Sequence, residues 1–148
     1  MKTKFLVLAL VIFTVAFSSC SKDDDDASAT PTPTGNGFRW TENGGTTVNT
    51  AASATFSTQY KTLIAKDASN ATIFEINLDG TTPATYTVGA TNAITYAGVN
   101  PFFIADAGNV IITTNASDKV SGTFQGTGTA AGGITSVTGT FTNITVVP

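Results

Sequence analysis

The chain has 148 residues, with 7 basic and 10 acidic side chains, a formal net charge of −3, one cysteine and no histidine. The missing histidine removes the commonest general base and the commonest metal ligand, and one cysteine cannot form an internal disulfide or a cysteine-based zinc site. We therefore expect no metal and no cofactor. Nucleic-acid binding is also excluded, because it needs a basic patch to displace counterions from phosphates.

The N-terminus has the pattern of an export signal. Two lysines in the first four residues precede the apolar run FLVLALVIFTVAF at positions 5–17, and Ser18 and Ser19 then lead to Cys20. The run is too short for the ~20 residues of a membrane-spanning helix and fits the core of a signal peptide. This arrangement resembles the bacterial lipoprotein signal. The alternatives are an ordinary secretory signal with an incidental cysteine, or a membrane anchor that stays uncleaved.

The resemblance implies a lipid anchor. Residues 1–19 would be the signal peptide, removed before Cys20, and the sulfur and new amine of Cys20 would be acylated, with palmitate as one of the chains. Two or more acyl chains hold a protein stably at a membrane, whereas a single chain binds only marginally. The mature chain would carry 5 basic and 10 acidic groups and a net charge of −5.

Residues 20–37, CSKDDDDASATPTPTGNG, have the composition of a linker. Four adjacent carboxylates repel one another, and the Ser, Thr, Pro and Gly that follow bury little apolar surface. We predict a disordered acidic and Pro-Thr linker. As a flexible coil, residues 21–37 would reach about 20–25 Å and keep the folded domain just off the membrane.

The acidic run also resembles the export tag of Bacteroidota lipoproteins, in which Lys or Ser and then several acidic residues follow the acylated cysteine. The residues that fit this tag are Lys22, Asp23, Asp24, Asp25 and Asp26. The resemblance implies an outer-membrane protein that faces the cell exterior. The alternatives are a solvated spacer, with the domain on the periplasmic face, and a calcium site, which is disfavoured because the run lacks a glycine-centred loop.

Residues 38–148 form one domain by length, and its pattern predicts an all-β fold. Thr, Val, Ile, Phe and Tyr are frequent, apolar residues alternate with polar ones, and turn residues recur at short intervals. Strands are predicted near 47–57, 60–66, 71–78, 84–88, 93–97, 102–105, 109–114, 118–126 and 134–146. Short connections favour an antiparallel meander, which would form a β-sandwich or a flattened barrel of about 8–9 strands.

Alternation assigns faces within several strands. In IFEIN, Phe74, Ile76 and Leu78 are predicted to lie in the core, and Glu75 to face solvent. In the Phe102-Phe103 pair, one ring is expected inside and the other outside. The alternative is that the pair forms an exposed apolar contact.

A repeated motif, VSGTF at 120–124 and VTGTF at 137–141, predicts a C-terminal hairpin. A turn centred on Ala130-Ala131 would place Gly122 opposite Gly139 and leave a notch between phenylalanine rings. The notch would have a structural role or would hold a ligand.

These motifs, SGTF…GTF with the strand ATYTVG and the opening FRWTENGG, resemble a family of Bacteroidota lipoproteins of unknown function. The resemblance covers about residues 38–147. It implies a signal, an acidic or polar linker and one all-β domain, and it supplies no catalytic or binding residues.

Two groups of side chains are candidate sites. Aromatic faces suit sugar rings, so Trp40, Tyr60, Tyr86 and Tyr96 are candidates for a glycan platform. The pattern favours the alternative, because such residues more often straddle a core with a wet polar tip. Four aspartates fall at predicted turns, where the side chain usually bonds its own backbone: Asp67, Asp79, Asp106 and Asp118. A glycosidase would need two of them to converge.

The sequence favours a membrane-anchored, non-enzymatic domain that binds or associates with a partner at the cell envelope, either a glycan or an envelope protein. The alternative is a small glycan- or lipid-binding module. A carboxylate-based hydrolase is the third hypothesis, and it is disfavoured by the lack of histidine and free thiol.

Overall fold

The computed structural model describes residues 35–148, and these residues fold into strands joined by turns, which confirms the all-β class. The export-signal residues Cys20, Lys22 and Asp23 to Asp26 lie outside the described residues. The strands are β1 (Gly37–Glu42), β2 (Asn49–Thr50), β3 (Ser53–Ser57), β4 (Thr62–Lys66), β5 (Thr72–Asn77), β6 (Ala84–Thr87), β7 (Ala93–Tyr96), β8 (Phe103–Ile104), β9 (Ala107–Ala116), β10 (Lys119–Ala131) and β11 (Ile134–Val147).

One curled sheet makes up the domain. Nine strands follow the order β6-β9-β10-β11-β3-β4-β5-β7-β8, and the sheet curls into a half-barrel. β1 pairs with β11 beside β3, and β2 pairs with β1. After β8 the chain returns to β10, where the Asp106 amide donates to the Thr127 carbonyl at 2.9 Å. The Thr129 amide in turn donates to the Asp106 carboxylate at 2.9 Å.

The predicted antiparallel meander and sandwich are not confirmed. The sheet is mixed, because β11 pairs in parallel with β3 through Thr145 to Val147. β6 and β9 are also neighbours although β7 and β8 lie between them in sequence. Each of the nine predicted segments overlaps an observed strand, but the structure has eleven strands. The sequence pattern did not predict β1, which forms from the FRWTE stretch and pairs with β11 along its whole length.

The core is aromatic at its centre. Phe74 is fully buried and packs against the rings of Phe38, Trp40, Tyr96 and Phe124, with centroids between 4.5 and 5.5 Å apart. Tilted, edge-on and offset-stacked rings at such distances add to the stability gained from their burial. The predicted core positions in and directly after β5 are confirmed, because Phe74, Ile76 and Leu78 are all buried. Glu75 faces solvent as expected.

The hairpin β10–β11 turns two residues later than predicted. Ala131 pairs with Ile134, and the turn consists of Gly132 and Gly133, which both have positive φ. Such a two-residue turn matches the twist of the strands that it joins. The β9–β10 turn has the same form, with Ser117 and Asp118 at φ 53° and 57°.

The predicted pairing of Gly122 with Gly139 is wrong, because the turn lies later than predicted and the strands shift register between Thr127 and Ala131. Gly122 pairs with Phe141, and Phe124 pairs with Gly139, so each glycine lies opposite a phenylalanine. A Cβ atom at position 139 would overlap the Phe124 ring and the Arg39 carbonyl oxygen. The rings thus occupy the space that a glycine pair would have left open, and no notch forms between them.

Candidate functional site

The outer face of β6, β9, β10, β11 and β1 carries mainly polar side chains, of which Thr41 and Thr140 are buried and the others at least partly exposed. In these strands the inward positions belong to the core, for example Tyr86, Val110, Phe124 and Trp40. The residues between them point to the opposite side of the sheet. Their pairing gives two rows across the strands: Thr85-Ile111-Thr123-Thr140-Arg39 and Thr87-Asn109-Gln125-Thr138-Thr41.

A shallow depression of about 190 Å³ lies in the middle of this face. Four hydrogen-bonding side chains line it, namely Asn109, Thr123, Gln125 and Thr138, together with Ile111, Phe124 and Gly139. None of these lining residues is charged. The outer-face groove, as we call this depression, therefore presents hydroxyl and amide groups beside one aliphatic side chain.

The side chains that line the groove have no partner within the domain. Within residues 35–148, the side chains of Asn109, Thr123, Gln125 and Thr138 make no hydrogen bond to another residue. Among the other side-chain amides, Asn92 and Asn115 are engaged, because they donate to the carbonyls of Thr87 at 3.0 Å and Thr81 at 2.7 Å, whereas the exposed amide of Gln59 is not. The four groove side chains are thus available to a ligand.

A second polar cluster surrounds Glu42 at the end of β1. Its Oε1 atom accepts hydrogen bonds from the Trp40 indole at 3.0 Å, the Tyr96 hydroxyl at 2.7 Å and the Asn49 amide at 3.3 Å. Trp40 and Tyr96 are buried, so their polar tips need a partner at the edge of the core. Glu42 supplies that partner, which gives the cluster a structural explanation.

Burial raises the pKa of Tyr96 to about 12, and the hydrogen bond to Glu42 and the charge of that carboxylate add to the shift. The phenol is therefore protonated throughout the neutral range. A general base must lose its proton near the working pH, so Tyr96 is not suited to that role.

The high pKa of Tyr96 predicts a dependence of stability on alkaline pH. The folded state keeps this proton from pH 10, the ordinary value, to about pH 12, whereas the unfolded state releases it near pH 10. The stabilisation linked to Tyr96 is complete below pH 10 and is lost as the pH rises towards 12. Absorbance titration of the folded protein at 295 nm should show a tyrosinate component near pH 12.

Three variants test this assignment. Tyr96→Phe should remove the component near pH 12, and Tyr60→Phe, at an exposed position, should leave it in place. Glu42→Gln keeps an acceptor but removes the charge, so the component should move to lower pH. An unchanged titration curve in Tyr96→Phe would contradict the assignment.

The predicted aromatic platform is not assembled by the structure. Trp40 and Tyr96 are together, with ring centroids 5.7 Å apart, but both are buried. Tyr86 is also buried and donates to the Thr82 carbonyl, and Tyr60 lies on the β3–β4 turn with 71% of its surface exposed. The four rings therefore share no exposed surface, because three of them are inward positions of strands.

The four turn aspartates lie on separate connections. The Asp67 carboxylate accepts from the Ser69 hydroxyl and from the amides of Ser69 and Ala71, and these hydrogen bonds lower its pKa. Asp79 accepts from the Thr91 hydroxyl at 3.3 Å. Residues 35–148 contain no group of three or more acidic, histidine or cysteine side chains that would hold a metal ion.

The phenylalanine pair behaves as the alternation predicts. Phe103 is fully buried, and Phe102 is 58% exposed. Sequence reasoning missed the groove residues instead. Their signal was present, because Asn109, Thr123, Gln125 and Thr138 occupy outward positions of predicted strands, but it becomes informative only when the strand pairing is known.

Comparison with known proteins gives no further assignment. A scan against protein-family models found no match, and neither the curated proteins nor the solved structures gave one. The described part of the chain contains no helix long and apolar enough to cross a membrane.

Proposed function

We propose that this protein is a lipid-anchored protein of the bacterial cell envelope whose β-domain acts by binding rather than by catalysis. The outer-face groove carries this proposal, because it combines four unengaged hydrogen-bonding side chains on one rigid sheet. Strands β9, β10 and β11 are paired in a defined register beneath it. A preorganised polar surface loses little entropy when a ligand binds.

The anchor rests on the sequence. The apolar run at positions 5–17, the small residues after it and Cys20 resemble a lipoprotein signal, and Lys22 with the following aspartates resembles the Bacteroidota export tag. In this proposal the acylated Cys20 holds the protein at the outer membrane, and the acidic segment directs it to the outer leaflet. The envelope side is then the place to look for a ligand.

The alternative from the sequence, a small binding module, has a lipid version and a glycan version. A lipid-binding module needs an apolar cavity. The rings of Trp40, Phe74 and Tyr96 pack directly against one another and leave no room for an acyl chain between them. The glycan version is favoured by the neutral hydrogen-bonding lining of the groove. The carboxylate-hydrolase hypothesis is not favoured, because it needs two carboxylates that converge and the four turn aspartates lie on separate connections.

Protease treatment of intact cells tests the location. Native protein should be released from the cells by proteinase K, whereas a variant with Asp23, Asp24, Asp25 and Asp26 all changed to Ala should be protected, because it lacks the export tag. Lysed cells, in which both forms must be cleaved, are the positive control. The measurement is the amount of cell-associated domain that an antibody detects.

A second control addresses the anchor. Cys20→Ser removes the acylated sulfur, so incorporation of labelled palmitate into the protein should be lost. Protection of the native form in intact cells would contradict surface exposure and place the domain in the periplasm. Palmitate labelling that persists in Cys20→Ser would contradict acylation at this cysteine.

A further inference from the structure

We infer that the outer-face groove binds one sugar unit of an uncharged glycan. This inference rests on the proposed binding function and names its ligand class. It moves the candidate glycan site from the aromatic residues, three of which are buried, to the outward positions of β9, β10 and β11.

The chemistry of the lining points to a neutral ligand with many hydroxyl groups. An amide side chain offers two donors and a carbonyl acceptor, and a threonine hydroxyl both donates and accepts. Asn109, Gln125, Thr123 and Thr138 therefore match sugar hydroxyls, which also do both. No lining residue carries a charge that would pair with a phosphate, sulfate or uronate group.

Arg39 is the charged residue on the two outward rows. Its backbone lies on the strand next to the groove residues Thr138 and Gly139. Its guanidinium group lies beside Gly35, at the start of the described residues. Arg39 Nε is also engaged, because it donates to the Asn36 carbonyl at 3.2 Å.

The size and shape of the groove fit a single ring. Its volume of about 190 Å³ is below the ~300 Å³ at which pockets for drug-sized ligands begin. Neighbouring strands hold Asn109, Gln125 and Thr138 side by side in one row, with about 4.8 Å between strands, so two adjacent side chains of the row can reach hydroxyls of the same ring. Ile111 adds an aliphatic surface for the C–H face of the sugar.

The groove is open at the surface, which suits an internal unit of a polymer. Hydrogen bonds exposed to water contribute little each, so a single groove should bind weakly. Many copies anchored in one membrane would bind a polymeric glycan far more tightly than one copy in solution, because each further contact becomes intramolecular. The lipid anchor and a weak groove are therefore compatible.

The test uses the purified full-length protein in detergent micelles and a defined panel of polysaccharides. Dextran, laminarin, yeast mannan and galactan are the neutral probes, and polygalacturonate and chondroitin sulfate are the charged ones. Affinity electrophoresis measures retardation by each. The native protein should be retarded by at least one neutral probe and by neither charged probe.

Two variants localise the binding. Asn109→Ala combined with Gln125→Ala should weaken retardation at least about tenfold, since two hydrogen-bonding side chains are lost. Gln59→Ala, at an exposed glutamine on the β3–β4 turn, should leave it unchanged. Thermal unfolding of both variants shows whether the fold is retained.

The inference is overturned if no neutral probe retards the native protein, if only charged probes do, or if the folded double variant binds as the native protein does. These outcomes are independent of protease access in cells. Loss of glycan binding with surface exposure retained would leave an anchored domain with another ligand. Glycan binding with protease protection would place the same groove in the periplasm.

Discussion

Replacing Phe74 with alanine is expected to lower the free energy of unfolding by about 3–5 kcal/mol. Phe74 is fully buried, and its ring contacts the rings of Phe38, Trp40, Tyr96 and Phe124. Truncation would leave a cavity where four aromatic rings meet, and strands that are already hydrogen-bonded in register cannot collapse to fill it. Urea unfolding followed by tryptophan fluorescence measures the change, because Trp40 lies against this ring.

Phe102→Ala is the matched control. Phe102 is 58% exposed, so its loss should change stability by no more than about 0.5 kcal/mol. Phe74→Leu refills most of the volume and should fall between the two. Equal stabilities for Phe74→Ala and Phe102→Ala would show that the aromatic cluster is not the centre of the core.

Changing Gly122 to alanine should destabilise the domain by about 3 kcal/mol or prevent folding, because overpacking of a well-packed site costs 1–3 kcal/mol and occasionally more. A Cβ atom at this position would overlap the Ile111 carbonyl oxygen and the Phe141 ring. The ring belongs to the cross-strand partner, and the carbonyl belongs to β9, so neither can move without breaking strand pairing.

Thr127→Ala, at an exposed position of the same strand, should leave the unfolding midpoint nearly unchanged. Gly139→Ala should behave like Gly122→Ala, since its added methyl group would overlap the Phe124 ring and the Arg39 carbonyl oxygen. Thermal unfolding by circular dichroism measures all three. Native-like stability of both glycine variants would mean that the phenylalanine rings do not lie over these glycines.

Alternation made the strands predictable. Inward residues such as Phe74, Ile76 and Phe103 recur with a period of two because a strand places successive side chains on opposite faces. The same rule placed Glu75 and Phe102 outside. Alternation does not predict β1. The FRWTE stretch becomes part of the sheet only by pairing with β11, the last strand of the domain.

The hairpin register shows what alternation cannot decide. A shift of one residue would reverse the faces, but a shift of two leaves Gly122, Phe124 and Phe141 pointing inward. The predicted and observed pairings differ by such a two-residue shift, so the hydrophobic pattern fits both. The turn and a bulge together decide between them. Gly132 and Gly133 readily adopt the positive φ of the turn, and a register shift between Thr127 and Ala131 then sets the pairing of Gly122 with Phe141.

The candidate site was predicted less well than the fold. Trp40 and Tyr96 were candidates for ligand contact because they are aromatic. In the structure their rings lie in the core, and their polar tips donate hydrogen bonds to Glu42. Asn109 and Gln125 are ordinary surface residues in sequence. They become neighbours only through the pairing of β9 with β10, which no local pattern specifies.

The position of β11 has a consequence for how the chain is made. The last strand separates β10 from both β1 and β3, so the two ends of the domain are neighbours in the sheet. β1 and β3 therefore lack this partner until β11 has been synthesised. Because such distant contacts must form before the sheet is complete, we expect folding to be slow and to finish only after β11 has joined β1 and β3. The exported chain that we propose would then reach a translocation channel before its sheet is complete.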